Sequence, residues 1–104
     1  MTATVNWLTY SFSIFDMDGT TWNEVSGIYI FSGIQNNFWY AKYVGVAESF
    51  KNRLGPSHEQ WAAARRMGAT HVHAMVVRQA ATRLLIEREL IQKLQPPLNT
   101  QHRL

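Results

Sequence analysis

Cysteine is absent from the 104 residues, which excludes disulfide bridges, thiol nucleophiles and cysteine-based zinc sites. That absence leaves the redox compartment open. Charge is sparse at 16%, yet the 46% hydrophobic content lies well away from the low-hydrophobicity, high-charge composition of disordered chains. A chain of this length holds one domain with one modest core and has no room for a second, so one site must carry the chemistry. Repeats, low-complexity tracts and interdomain linkers are missing. Residues 1–15 contain no Lys or Arg, and Thr, Asn and Ser break up their apolar residues. That fits neither a signal peptide nor a membrane span, so the expectation is a soluble cytoplasmic protein without a membrane partner.

Basic residues are missing from a longer stretch still. Residues 1–41 carry Asp16, Asp18 and Glu24 against no Lys or Arg, a net −3; residues 42–104 hold all ten bases against Glu48, Glu59, Glu87 and Glu89, a net +6. The overall +3 therefore hides a polarised chain. A basic segment of this kind suits a phosphate-facing surface, because Lys and Arg that neutralise phosphates release counterions. The competing reading is a solvated helix surface.

What is present is regular patterning. Residues 9–15 alternate around Tyr10, Phe12 and Ile14 and then meet Asp16-Met17-Asp18-Gly19, which predicts a strand ending in a turn. Residues 27–32 and 38–46 are aromatic and β-branched, and the turn chemistry of residues 33–37 predicts that they pair as an antiparallel hairpin. Residues 48–54 read as a short helix stopped by Gly55-Pro56. Ser57 with Gln60 fits a capping box for a second helix ending at Gly68. Residues 71–77 alternate again, with Val72, Ala74 and Val76 on one face, and a long helix over residues 80–94 follows, ended by Pro96-Pro97. The predicted fold is α+β: a small single domain with a central, mainly antiparallel three-stranded sheet, room for an extra N-terminal strand, and flanking helices.

Glu87 stands out on the last helix. A helical wheel groups Leu84, Ile86, Leu90, Ile91 and Leu94 on one arc and places Glu87 in its middle. A charge there must be paired, protonated or metal-bound, because an unpartnered buried charge costs several kcal/mol. The plain alternative is an ion pair with Arg83 or Arg53. Glu89, by contrast, falls on the polar side with Arg88 and Gln92. Tyr29 and Tyr43, taken alone, read as amphipathic strand residues, and Arg53 as a surface residue whose planar fork also suits phosphate.

Taken together, Gly27-Ile28-Tyr29, Tyr43-Val44-Gly45, the run from Tyr43 through Arg53 to Leu54, and the run from Leu84 through Glu87 to Asn99 resemble the GIY-YIG endonuclease family. The resemblance spans residues 27–99, with residues 1–26 as an N-terminal strand-and-turn extension and 100–104 as a tail. It departs only in Val44 for Ile. It implies a central three-stranded antiparallel sheet and a DNA endonuclease in which Tyr29 and Tyr43 are the signature tyrosines, Arg53 the catalytic arginine, Glu87 the metal-binding glutamate and Asn99 a buttress. Glu87 would hold one Mg²⁺ or Mn²⁺. Tyr29 would take the proton of the attacking water, directly or by relay to His58, with its pKa lowered by Arg53 and the metal. Arg53 and Tyr43 would face the phosphate oxyanions. Lys42, Lys51, Arg65, Arg66 and Arg78 are the candidate contacts to DNA, and a homodimer or a targeting partner protein could supply specificity.

Three other signals are weighed against this. His58, read as the first residue after a Ser57 cap, is either an exposed helix start or a proton acceptor or phosphate ligand. His71 and His73 share a strand face and could hold zinc, but they lack a secure third ligand, and a polar sheet face is the simpler reading. Phe15-Asp16-Met17-Asp18-Gly19-Thr20 resembles the first motif of haloacid-dehalogenase-type phosphatases. That family needs a larger doubly wound domain and a later acidic pair; the plain reading is an Asp18-Gly19 hairpin turn leading to the strand at 27. A module that keeps the fold and binds without cleaving is the remaining alternative.

Overall fold

Asn36 and Asn37 both adopt positive φ, 52° and 67°, which suits a two-residue hairpin turn whose twist matches that of the strands it joins. In the computed structural model, which describes residues 2–100, this turn connects β3 (Gly27–Gln35) to β4 (Phe38–Ala47), paired from Gly27 opposite Ala47 to Gln35 opposite Phe38. The strands run closer to the turn than the sequence predicts. Gly33 lies within β3, and a neighbouring backbone packs where a side chain would be: a Cβ there would lie 2.1 Å from the Gly68 carbonyl oxygen.

β5 (His71–Val76) pairs antiparallel with the free side of β3. This is the predicted three-stranded core, but the sheet does not stop there. β2 (Tyr10–Asp16) pairs with β5, and β1 (Thr4–Trp7) pairs with β2, giving an antiparallel five-stranded sheet in the order β1-β2-β5-β3-β4. The Asp18-Gly19 hairpin into residue 27 is therefore not formed. β5 lies between β2 and β3, and residues 17–26 cross over it. The N-terminal segment is integral to the fold, since Phe12 and Met17 are both core residues.

The period of two along β3 divides the core. Tyr29 and Phe31 point to one face, where they pack with Tyr43, Val72 and Ala74 beneath Phe50 and Leu54 of the α1 region (Phe50–Arg53) and Trp61 and Ala64 of α2 (Trp61–Arg66). Ile28 and Ile30 point the other way, with Phe12 and Val44, against Leu90 and Ile91 of α3 (Ala80–Leu94). Each such side chain fully withdrawn from water contributes roughly 1.5–3 kcal/mol. β3, covered on both faces, therefore anchors the sheet.

The helices depart from expectation at one point. Ser49 caps α1, its hydroxyl accepting from the Asn52 N–H at 3.3 Å. The Ser57 capping box does not form: α2 starts only at Trp61, with Gln60 at its N-cap and no side-chain cap. Residues 55–60 form turns instead, and these carry the His58 ring into the core. α3 spans the predicted residues and ends at Gln95, whose φ of 48° is a left-handed cap just before Pro96. Among the described residues, no helix is long and apolar enough to cross a membrane.

Candidate active site

Tyr29, on the interior strand β3, is fully buried. Its cross-strand partner is Gly45, where a Cβ would lie 2.4 Å from the Tyr29 hydroxyl oxygen and 2.5 Å from Cζ. The missing side chain lets the ring lie across β4, which gives a steric reason for glycine at the third position of Tyr43-Val44-Gly45. The ring sits 5.3 Å from Phe31, 6.2 Å from Tyr43 and 5.5 Å from His58, centroid to centroid. Tyr43 is buried on the same face.

His58 is buried, not an exposed helix start. Its Nε2 lies 2.6 Å from the Tyr29 hydroxyl, and its Nδ1 accepts the Gln60 backbone N–H at 3.0 Å. A nitrogen that accepts an N–H carries no proton, so in the neutral ring Nε2 is the protonated atom and donates to Tyr29. Burial, then the Arg53 charge, lower the His58 pKa to about 4 against a smaller opposing pull from Glu59, so the ring is neutral near pH 7. Its 3.8 Å approach to the Glu59 carboxylate is accordingly not an ion pair at that pH.

Arg53 closes α1 and grips Glu59 through both terminal nitrogens, at 2.8 and 2.6 Å. The guanidinium holds the Glu59 carboxyl down to about 2, and its own pKa is raised chiefly by the same contact. Arg53 favours ionisation of both tyrosines, but burial is the larger effect and raises both, so the Tyr29 pKa is raised where the sequence reading expects it lowered. Glu59 escapes sequence reasoning. It stands six residues beyond Arg53 across a helix break, outside the i+3 and i+4 spacings that betray helical pairs.

Glu87 does not sit amid the apolar arc of the wheel. Leu84 is 54% exposed and Leu85 is 65% exposed, while Arg83 takes a buried place with Leu90 and Ile91. Arg83 can do so because its Nη1 donates to the Val77 and Arg78 carbonyls at 3.0 Å each. Glu87 is half-buried at the rim, in a cleft of about 130 Å³ lined also by Leu84, Arg88 and Ile91. Its charge still reaches the site, as one of the influences that raise the Tyr43 pKa. Glu89 is exposed and accepts the Tyr10 hydroxyl at 2.6 Å. Among the described residues no three His, Cys, Asp or Glu side chains cluster as a metal cage. A hard cation here would take the Glu87 carboxylate and fill its other positions with water and phosphate oxygens, which suits Mg²⁺.

Asn99 is buried beside β4, where its Oδ1 accepts the Val44 N–H and its Nδ2 donates to the Val44 carbonyl, both at 2.8 Å. The side chain thus mimics a further strand and closes the sheet edge between Tyr43 and Gly45. The nearby Leu98 N–H donates to the Lys42 carbonyl.

The basic residues part company. Lys51 pairs with Glu24 at 3.6 Å and Arg65 with Asp18 at 3.1 Å, so acids from the N-terminal segment fold back onto the basic segment. The polarisation along the chain is partly cancelled in space. Arg66 and Arg78 are exposed, and half-buried Lys42 extends its Nζ over the Tyr40 ring at 5.7 Å from the centroid. His71 and His73 make no zinc pair. His71 contacts Asp16 at 3.0 Å, whereas His73 is fully buried, accepting the Trp7 indole N–H at 2.9 Å on Nδ1, with Trp39 4.5 Å away and perpendicular. Burial lowers its pKa to about 4. That part of the sheet is aromatic core, not a polar face. Asp16 ends a strand of an antiparallel sheet, and the described residues form no doubly wound parallel domain around it.

No protein-family model, curated protein or solved structure matches this chain.

Proposed function

We propose that the chain is a metal-dependent endonuclease that hydrolyses DNA phosphodiester bonds with GIY-YIG chemistry. One observation carries this reading: Tyr29, Tyr43, His58 and Arg53, from two strands, a short helix and a turn, converge on one sheet face, with the Glu87 charge within reach of Tyr43.

The chemistry then divides among this chain's own groups. Tyr29 acts as its tyrosinate, to whose oxygen the His58 Nε2–H donates because Gln60 already occupies the Nδ1 acceptor; it takes the proton of the attacking water and becomes the neutral phenol. This replaces the relay to His58 that the sequence suggested. Arg53 presents its guanidinium to the phosphate oxyanions, aided by the Tyr43 hydroxyl. Glu87 would hold a divalent cation, which would supply positive charge against the developing phosphate charge and toward ionisation of the tyrosines, where Arg53 alone is outweighed by burial. Asn99 is a positioning residue, fixing the strand that carries Tyr43.

The test is supercoiled plasmid incubated with Mg²⁺ or Mn²⁺ and, separately, with EDTA, comparing wild type and Glu87→Ala. Metal-dependent nicking that the substitution abolishes supports the nuclease. Binding without cleavage by the wild type sinks it in favour of a non-catalytic module.

A further inference from the structure

β4 leaves its turn with alternating sides. Trp39 and Ala41 pack in the cluster facing α3, so Phe38 and Tyr40 emerge on the opposite face, that of Tyr43. Tyr43 lies three positions beyond Tyr40, which in a regular strand would put them on opposite sides. The register shift opposite Phe31 and Ser32 prevents this: Phe31 faces Tyr43, Ser32 faces Ala41, and Lys42 is the extra residue of a bulge. Phe38, Tyr40 and Tyr43 consequently form one row on the face of the candidate site.

The outer two rings are open to water, Phe38 at 67% and Tyr40 at 44% exposure. They stand about 7 Å apart along the strand at roughly 3.3 Å rise per residue. Lys42 holds its ammonium over Tyr40. The Met67–Gly68 turn packs on Gly33, the cross-strand partner of Tyr40, which brings exposed Arg66 to the same end of the sheet. Exposed rings interleaved with cations suit a strand of stacked bases and phosphates. A protein partner would have to desolvate the ammonium, at a cost of several kcal/mol.

We propose that Phe38, Tyr40 and Lys42 form a stacking platform for unpaired nucleotides next to the scissile phosphate, so that the substrate is DNA carrying a single-stranded segment. The proposal rests on the nuclease reading and names its substrate class.

It is tested on the full chain in EDTA, so that binding is separated from cleavage. A fluorescein-labelled oligothymidine and a blunt duplex are titrated against wild type, Phe38→Ala, Tyr40→Ala and Tyr40→Phe, and oligonucleotides bearing 2-aminopurine report stacking by quenching. Both rings lie outside the core, and thermal unfolding confirms folding of each variant. Each alanine weakens oligothymidine binding roughly tenfold and relieves the quench, with a smaller effect on the duplex, while Tyr40→Phe keeps both. Equal loss on both DNAs, or no loss, overturns the platform. So does sedimentation in which Phe38→Ala dissociates a dimer with oligothymidine affinity retained, which would make the patch a self-interface. Ring-dependent binding without plasmid nicking by the wild type sinks the nuclease reading alone; nicking with ring-independent binding sinks the platform alone.

Discussion

Gly45→Ala tests the geometry of the site without assuming what it does. Gly45 is not among the glycines with positive φ, so its backbone is open to any L-residue. At such a position alanine ordinarily stabilises by about 0.4–1 kcal/mol, because it restricts the unfolded chain. Here the new Cβ would fall 2.4 Å from the Tyr29 hydroxyl oxygen, 2.5 Å from Cζ and 2.9 Å from Cε2. The ring has no free direction in which to yield, being fully buried beside Phe31, Tyr43 and His58. Overpacking of that kind costs about 1–3 kcal/mol, so the net effect is a loss on the order of 1–2 kcal/mol. For a domain of this size, the Tm falls by about 5–15 °C. Displacing the Tyr29 hydroxyl from His58 by about 1 Å also lowers plasmid nicking on the order of 100-fold. Thermal unfolding followed by circular dichroism gives the first number. Adding Tyr29→Leu, which removes the outer ring atoms, should make the double variant less destabilised than the sum of the singles. A Gly45→Ala protein that melts a few degrees higher than wild type and nicks normally would refute the placement of Tyr29 across β4.

Acid should unfold the protein early. His58 and His73 have folded pKa values lowered from 6.5 to about 4, so below pH 6.5 the unfolded state binds more protons. Stability falls as pH drops from 6.5 toward 4, by up to about 3 kcal/mol per ring. Urea midpoints across that range measure it, and a flat profile contradicts the burial of both rings. Asn99→Ala strands the Val44 N–H and carbonyl, a loss of roughly 2–5 kcal/mol in denaturant titration; Asn99→Asp keeps only the acceptor and should fare poorly too. Glu59→Gln loosens an exposed pair and changes stability by less than about 1 kcal/mol, yet it frees Arg53 for phosphate, so the KM for nicking falls several-fold. An unchanged KM would show that Glu59 does not compete for the guanidinium.

Local rules reach a definite distance into this fold. The β3–β4 hairpin, the facing of Val72 and Ala74 on β5 and the bounds of α3 follow from patterns within a few residues, and the structure agrees with each, although the turn tightens from residues 33–37 to Asn36-Asn37. The N-terminal segment is half legible. Alternation marks β2, but nothing near it in the chain says that its partner is β5, some 60 residues on. The wheel for Glu87 fails because hydropathy assumes that arginine faces water, and the backbone carbonyls that let Arg83 turn inward come from the approach to α3.

What the sequence determined by itself is the set of parts: four of the five strands, the helices, the tyrosines of the β3–β4 hairpin, and a resemblance that would group Tyr29, Tyr43, Arg53, Glu87 and Asn99. Only the tertiary structure decided how those groups are charged and held. The His58 tautomer depends on the Gln60 N–H, the Arg53 fork is occupied by Glu59, and Asn99 closes the edge of β4. The physical reason is that propensity and periodicity act over one or two turns of chain. Desolvation, ion pairing and steric contact act through space, between residues that only the completed fold brings together.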